Sequence, residues 1–423
     1  MSQIHVCLVT GEYPPAVGGI ADYTALLAEH LREEEMRVSV VTGDYGGDDG
    51  GRRARRGTSP RPTGTTEPPD VQTVNGWGFR SIREIVRRIG DIEPDVVHLQ
   101  YQTAAFGMSA AVCLLPYAVR AASRRPRFIT TFHDLRVPYL FPRAGSLRRA
   151  PARLLLGASD GSIFTDHSDL LAARPRRKAA WIPIGPGVVP RGRPNRAATR
   201  NRFQIDADEF VIAHFGFMNA SKGVETLLAA AERLVRTGLR FRVLFVGEDQ
   251  GISDPTNART AARIRALESR LHLEDHIIRT GWLPDTEISR ALAASDVAAL
   301  PYADGASLRR STLLTCFGHG IPVVTTTPVP FAPVPREYAI EPFDEPEQYR
   351  IDESLAALVP VGDDAALADE LHRLAQDPGR RKALARSARQ FAQRLSWPSI
   401  ARGTAGFYGA VRRAAARERS RAR

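Results

Sequence analysis

Short runs of β-branched and aliphatic residues recur along the chain, each closed by polar or glycine positions. In the first half they read "IHVCLVT", "VSVVT", "DVVHLQY", "FITTFHD" and "GSIFTD". Runs that are apolar at nearly every position mark strands buried on both faces, as in parallel sheets covered by crossover helices. A second series, "VIAHFG", "RVLFVG", "IIRTGW", "DVAALPY" and "IPVVTT", alternates with amphipathic patterns such as "GVETLLAAAERLVRTG". Both halves therefore predict α/β architecture with a doubly wound sheet in each. The proline- and glycine-rich "WIPIGPGVVPRGRPNR" reads as a linker, which places one domain at 1–188 and the next at 189–395, with 396–423 as a terminal helix and basic tail. The segment at about 45–70 is nearly devoid of hydrophobic residues and reads as a mobile surface loop.

Composition narrows the function classes. With 423 residues, 43% of them hydrophobic, the chain can build two cores. The net charge of +11 comes mostly from arginine and favours an anionic partner: a nucleotide diphosphate, a phospholipid headgroup or a nucleic acid. Arginine runs such as "RAASRRPR" lack the interleaved aromatics of a single-strand binder, so nucleic acid is set aside. Cys7, Cys113 and Cys316 lie far apart without ligand histidines, which supports neither a disulfide framework nor a zinc site and fits a reducing cytoplasm. "MSQIHVCLVTGEYPP" lacks the basic leader and apolar run of a signal peptide. "TAAFGMSAAVCLLPYAV" is too short for a membrane span and contains Pro116, which predicts a buried helix. Asp206 and Asp208 form an Asp-x-Asp pattern able to hold a divalent metal, but they precede a strand and read as a polar turn. There is no Walker loop and no nucleophile elbow.

Ligands of open parallel sheets sit beyond the carboxyl ends of the strands. Two such sheets facing each other gather Glu12 to Gly19, Tyr101, His133, Gly216 to Gly223, Glu248 and Asp304 to Arg310 around one cleft. "VTGEYPPAVGGIADYTALLAEHL" is strand, loop, paired glycines and helix; Gly18 and Gly19 either bring backbone N–H groups to an anion or simply make a tight turn. "FGFMNASKGVETLL" repeats the logic with Lys222, which either neutralises a diphosphate or is solvated surface. His133, at the end of "FITTFHDL", either meets a sugar hydroxyl and moves a proton or is a satisfied structural residue.

Taken in order, "GEYPPAVGGIADYTALLAEHL", "PDVVHLQY", "TTFHD", "FGFMNASKG", "IIRTGWLPDTEISRALAASDVAALPY", "HGIPVVTT", "LVPVGDDAALADEL" and "LSWPSIARGTAGFY" resemble family 4 of the retaining glycosyltransferases. The resemblance implies the GT-B fold, two Rossmann-like domains facing across a cleft, with a C-terminal helix crossing back to the first. It implies hexosyl transfer from a nucleotide diphosphate sugar to a hydroxyl acceptor, with retention, no required metal or other cofactor, and a place in cell-surface polysaccharide or glycolipid synthesis. The family's paired glutamates fall at Ser307 and Thr315 here, and its arginine before the Lys-Gly pair falls at Phe217. Fixed positive charge must then come from elsewhere, since the leaving diphosphate gains charge as the glycosidic bond breaks.

Arg309 and Arg310 are the replacements, the other reading being a surface pair that caps a helix. The catalytic set is therefore His133, Lys222, Arg309 and Arg310. The donor-binding set is Gly18, Gly19, Asn219, Lys222, Trp282, Asp304, Ser307, Arg309, Arg310 and Thr315, with Asp304 or Ser307 for sugar hydroxyls and Thr315 for the ribose. The acceptor side is Glu12, Tyr13, Tyr101 and Gln102. A catalytically silent nucleotide-sugar-binding or regulatory protein is the alternative that the missing glutamates motivate, and an epimerase of the same fold is a more distant one. Arg143, Arg148, Arg149 and Arg153 among leucines suit either a helix lying on anionic lipid, near a lipid-linked acceptor at the inner membrane face, or a solvated helix.

Overall fold

The computed structural model describes residues 3–16, 18–44, 69–123, 126–135, 149–192, 194–248 and 256–421. Arg143, Arg148 and most of the expected 45–70 loop lie outside them. The chain divides into two compact units, 1–184 with 332–348 and 397–423, and 185–331 with 349–396.

The first unit contains β1 (His5–Thr10), α1 (Gly19–Glu33), β2 (Arg37–Gly43), β3 (Asp70–Val74), α2 (Ile82–Ile92), β4 (Val96–Tyr101), α3 (Leu115–Ala122), β5 (Arg127–Phe132), α4 (Ala150–Ala158), β6 (Gly161–Phe164), α5 (His167–Ala173) and β7 (Lys178–Trp181). Its sheet has the order β3-β2-β1-β4-β5-β6-β7, parallel throughout. Every residue of β1 and β4 is buried, as their unbroken apolar runs require. The order reverses between β1 and β4, so this sheet's switch point lies at Thr10 and Tyr101.

The second unit contains α6 (Arg196–Arg202), β8 (Phe210–Phe215), α7 (Val224–Val235), β9 (Phe241–Val246), α8 (Thr256–Arg270), β10 (Ile277–Arg279), α9 (Asp285–Ala294), β11 (Val297–Leu300), α10 (Ser311–Gly318), β12 (Val323–Thr326), β13 (Ala357–Val359), α11 (Asp364–Gln376) and α12 (Pro378–Arg394). The sheet order is β10-β9-β8-β11-β12-β13, again parallel, with its reversal between β8 and β11. Phe210, Ile212, Leu227, Leu228, Val243 and Leu371 form the centre of its core.

The last helix, α13 (Trp397–Arg421), belongs to the first unit. It packs where β6 has no side chain: a Cβ on Gly161 would lie 2.6 Å from Val411 Cγ2 and 2.9 Å from Phe407 Cε1. Residues 332–348, placed by the sequence in the second domain, also pack in the first unit. Fully buried Phe343 explains this, since it meets Trp181 with ring centroids 6.4 Å apart and covers Gly403.

The run expected as one buried helix is instead a turn, a 3-10 turn at Ala111–Leu114 and α3, with Pro116 in the first turn. No helix among the described residues is long and apolar enough to cross a membrane. Arg149 and Arg153 are exposed at α4. Asp206 and Asp208, the Asp-x-Asp pair, both engage Arg240, the first at 2.8 Å.

Candidate functional site

In the second unit the chain leaves β8 through Gly216 and Asn219, makes a 3-10 turn at Ala220–Lys222, and enters α7 after Gly223. Beside it, β11 exits through Pro301, Tyr302 and Asp304 toward α10. The two exits are stitched together by the Ala303 amide, which donates to the Ser221 carbonyl at 3.0 Å. This is the switch point of the sheet, where its helices diverge to opposite faces and leave a crevice.

Two cations converge there on one buried aromatic ring. Lys222 Nζ sits 5.3 Å from the Tyr302 ring centroid, and the Arg310 guanidinium carbon 4.6 Å from it. Lys222 Nζ donates to Thr312 Oγ1 at 2.8 Å, and Thr312 Oγ1 hydrogen-bonds the Tyr302 hydroxyl at 2.9 Å. Arg310 Nη1 donates to Ser221 Oγ at 3.0 Å, and Nη2 pairs with Asp304. Ser221 is itself held by Asn219, whose Oδ1 accepts from the Ser221 amide at 3.1 Å and hydroxyl at 2.8 Å. Gly216 leaves the space above Lys222: a Cβ there would lie 2.9 Å from Thr312 Cγ2 and 3.4 Å from Lys222 Nζ.

Burial, then the positive charge of Arg310, pulls the Lys222 ammonium down to about 7, while Cys316 and Asp304 pull the other way. Lys222 is thus poised between ammonium and amine near neutral pH. Two consequences follow with opposite signs. Between pH 7 and 10.5 the unfolded chain keeps a proton that folded Lys222 has lost, so this residue makes stability rise with pH across that window. An anion held by Lys222 needs the ammonium, so affinity for such an anion falls above about pH 7. A pH profile of Lys222→Arg checks this, because the arginine variant loses the alkaline limb; an unchanged limb assigns it to another group.

Of the other expected donor-site residues, Ser307 is half-buried and its carbonyl accepts from the Arg310 amide at 3.1 Å. Arg309 is half-buried one position before it. Trp282 is exposed just beyond β10. Glu248 follows β9 and is half-buried. Thr315 is wholly enclosed, and its Oγ1 accepts from the Val188 amide at 3.2 Å. Asp304 acts on Arg310. Lys222 was expected at the start of a helix and stands in the 3-10 turn before it.

The first unit builds its own constellation at its strand ends. Glu12 is buried, and Thr10 Oγ1 donates to its carbonyl at 2.8 Å. Its carboxylate lies against Gly18 at the start of α1, where a Cβ would come 2.3 Å from Glu12 Oε2. The protein's own carboxylate thus lies beside this helix start at Gly18, and Gly19 has open space on its Cβ side. His133 is half-buried, its Nε2 donates to Gln100 Oε1 at 3.0 Å, and its ring stands edge-on to Tyr23 at 4.6 Å. Burial pulls its imidazole down to about 3, which leaves the ring neutral at physiological pH. Tyr101 is a core residue with its ring 5.7 Å from that of Phe132, and its hydroxyl accepts from Thr103 Oγ1 at 3.4 Å. Tyr13 is nearly buried, and Gln102 is half-buried.

Sequence reasoning missed Tyr302, Thr312 and Gln100, and reached Ser221 only as part of the Gly216 to Gly223 span. The strand-exit rule that placed Asp304 reaches Tyr302 as well, and Gln100 is the neighbour of Tyr101 on the opposite face of the same strand. Nothing in one sequence marks Thr312 or Ser221, whose roles depend on which loops meet.

Comparison with known proteins extends over both units. Residues 17–197 match the family model described as Glycosyltransferase Family 4, and residues 209–377 the one described as Glycosyl transferases group 1. A D-inositol 3-phosphate glycosyltransferase of Streptomyces bingchenggensis is 29% identical over 241 residues, covering 56% of this chain and 49% of that one. The chain spans about half the length of the curated relatives it matches. Among solved structures, sucrose-phosphate synthase from Thermosynechococcus elongatus is similar with a TM-score of 0.71 and 19% identity, over 97% of this chain and 100% of that one. HepE of Anabaena, in complex with UDP and glucose, is similar with a TM-score of 0.68 and 15% identity, over 95% of this chain and 98% of that one. At these identities the structures establish the fold.

Proposed function

Because the chain belongs to glycosyltransferase family 4 and has the two Rossmann-like domains of the GT-B class, we propose that it moves a sugar from a nucleotide diphosphate sugar to a hydroxyl acceptor with retained configuration. The observation that carries this reading is the pair of cations, Lys222 and Arg310, seated on Tyr302 at the switch point of the second sheet. A departing diphosphate gains negative charge on the oxygen that leaves the sugar, and cations already oriented there stabilise that charge without reorganising during the step. Lys222 supplies a point charge, and Arg310 a fork whose remaining N–H groups suit paired phosphate oxygens. Half-buried Arg309 and Ser307 and exposed Trp282 complete the donor side of the proposal. In this scheme protein cations do the work of a metal, and no protein nucleophile is needed.

In the first unit, the role we propose for His133 is to meet the transferred sugar as a neutral hydrogen-bonding group. Glu12, Tyr13 and Gln102 belong to the acceptor side of the same proposal. A lipid-linked acceptor on an anionic membrane face would find Arg149 and Arg153 exposed at α4.

Thermal denaturation with UDP, GDP and ADP sugars tests the donor reading. A ligand bound only by the native state at a hundred times its Kd adds ~2.7 kcal/mol, so one nucleotide family raises the melting temperature by several degrees. UDP sugars head the screen because HepE binds UDP-glucose. Slow donor hydrolysis without acceptor separates an enzyme from a silent binder, which gives the thermal shift and no hydrolysis.

A further inference from the structure

Beneath His133 lies a chain of buried polar groups that the donor site does not use. Gln100 and His98 are fully buried on β4. Gln100 Oε1 faces His133 Nε2 at 3.0 Å, and its Nε2 faces the His98 ring nitrogens at 3.3 Å. His98 is pinned on both sides, by the Tyr408 hydroxyl 2.6 Å from Nδ1 and by Thr131 Oγ1 2.7 Å from Nε2. Tyr408 lies on α13, and so does Trp397, whose ring packs 5.2 Å from Tyr23, the residue edge-on to His133. The C-terminal helix thus reaches His133 by two routes: a polar one through Tyr408, the His98 ring and Gln100, and a packed one through Trp397 and Tyr23.

A side-chain amide is polar in a directional way: its oxygen only accepts and its nitrogen only donates. With Oε1 toward His133, as the geometry assigns it, His133 carries its proton on Nε2. Its Nδ1 is then a bare acceptor, suited to a substrate hydroxyl. The amide nitrogen lies 3.3 Å from both His98 ring nitrogens, over the face of the ring, where an N–H is favourable and a carbonyl oxygen is not, so the ring holds the amide in this sense.

We propose that Gln100 is a positioning residue that fixes the tautomer and ring orientation of His133, and that α13 holds Gln100 in place through Tyr408 and His98. This rests on the reading of His133 as a sugar-contacting group. It adds that the substrate atom His133 meets is a hydroxyl donating to Nδ1.

The test uses full-length protein with 15N-labelled histidine, the His133 resonance being assigned by its loss in His133→Ala. The wild type shows the Nε2–H tautomer at neutral pH. Gln100→Leu and the similarly long Gln100→Met give a mixture of tautomers and lower kcat for donor hydrolysis roughly tenfold, with KM for the donor within about twofold, the scale of one lost hydrogen bond. Tyr408→Phe moves both readouts in the same direction by less. An Nδ1–H tautomer in the wild type overturns the proposal without any variant. So does a Gln100 variant whose tautomer and kcat match the wild type while His133→Ala is impaired. If His133→Ala itself hydrolyses donor at the wild-type rate, the underlying reading of His133 fails instead.

Discussion

Replacing Arg310 by alanine lowers donor turnover by roughly 10²–10³-fold, the range for removing one preoriented group that stabilises developing negative charge. Three effects add in the same direction. The guanidinium itself is gone from the switch point. Asp304, which pairs with it, loses that partner beside the proposed place of the diphosphate. The Ser221 hydroxyl loses the group that donates to it. A fourth effect serves as a signature: the Arg310 charge helps depress Lys222, so its removal moves the alkaline limb of the pH profile upward even as the rate falls. Arg310→Lys keeps the charge without the fork and recovers part of the turnover. The double variant Arg309→Ala, Arg310→Ala abolishes both hydrolysis and transfer. Unchanged turnover in a folded double variant refutes the donor reading, and kinetic measurement at fixed donor concentration decides between them.

Much of the sheet architecture is legible because the central strands are buried on both faces and leave uninterrupted apolar runs. The strands that escape notice are the edges. Asp70–Val74 is "DVQTV", mostly exposed; Lys178–Trp181 is "KAAW"; Ala357–Val359 has three residues. Each ends its sheet, so only one neighbour constrains it and its sequence carries a weaker signal. The return of residues 332–348 to the first unit is also invisible in sequence, since it depends on Phe343 finding a buried position beside Trp181, far away along the chain.

Site residues divide along the same physical line. Charged groups at strand exits, such as Lys222, Asp304 and Arg310, stand out because topology alone selects those positions. What the charges rest on does not stand out. The Tyr302 ring and Thr312 hydroxyl become meaningful only once the exits of β8 and β11 lie side by side. Glycine pairs carry a related ambiguity: room at a helix start says that an anion fits without saying which, and here the Glu12 carboxylate lies against Gly18. Thr315 fell into the expected set because it aligns with a glutamate, yet its hydroxyl spans to the Val188 amide inside the unit.

Gly223→Ala destabilises the second unit by roughly 2–5 kcal/mol, the sum of a left-handed backbone cost of ~1–2 and an overpacking cost of ~1–3 kcal/mol. Gly223 has φ +65°, and a Cβ on it would lie 1.8 Å from the Pro301 carbonyl oxygen and 3.6 Å from the Ala303 amide nitrogen. A rigid backbone carbonyl cannot swing aside as a side-chain end would, so either the β11 exit or the turn before α7 must move. At ~2–4 °C per kcal/mol for a domain of this size, the melting temperature falls by about 10 °C. Gly223→Asn separates the two causes. Asparagine tolerates the left-handed region but carries the same Cβ, so if the clash dominates, it melts with the alanine variant, and if backbone strain dominates it melts well above it. The same displacement breaks the Ala303 to Ser221 hydrogen bond that sets Lys222 against Tyr302. Either variant therefore loses donor turnover below its melting temperature, because the two halves of the cation seat no longer meet.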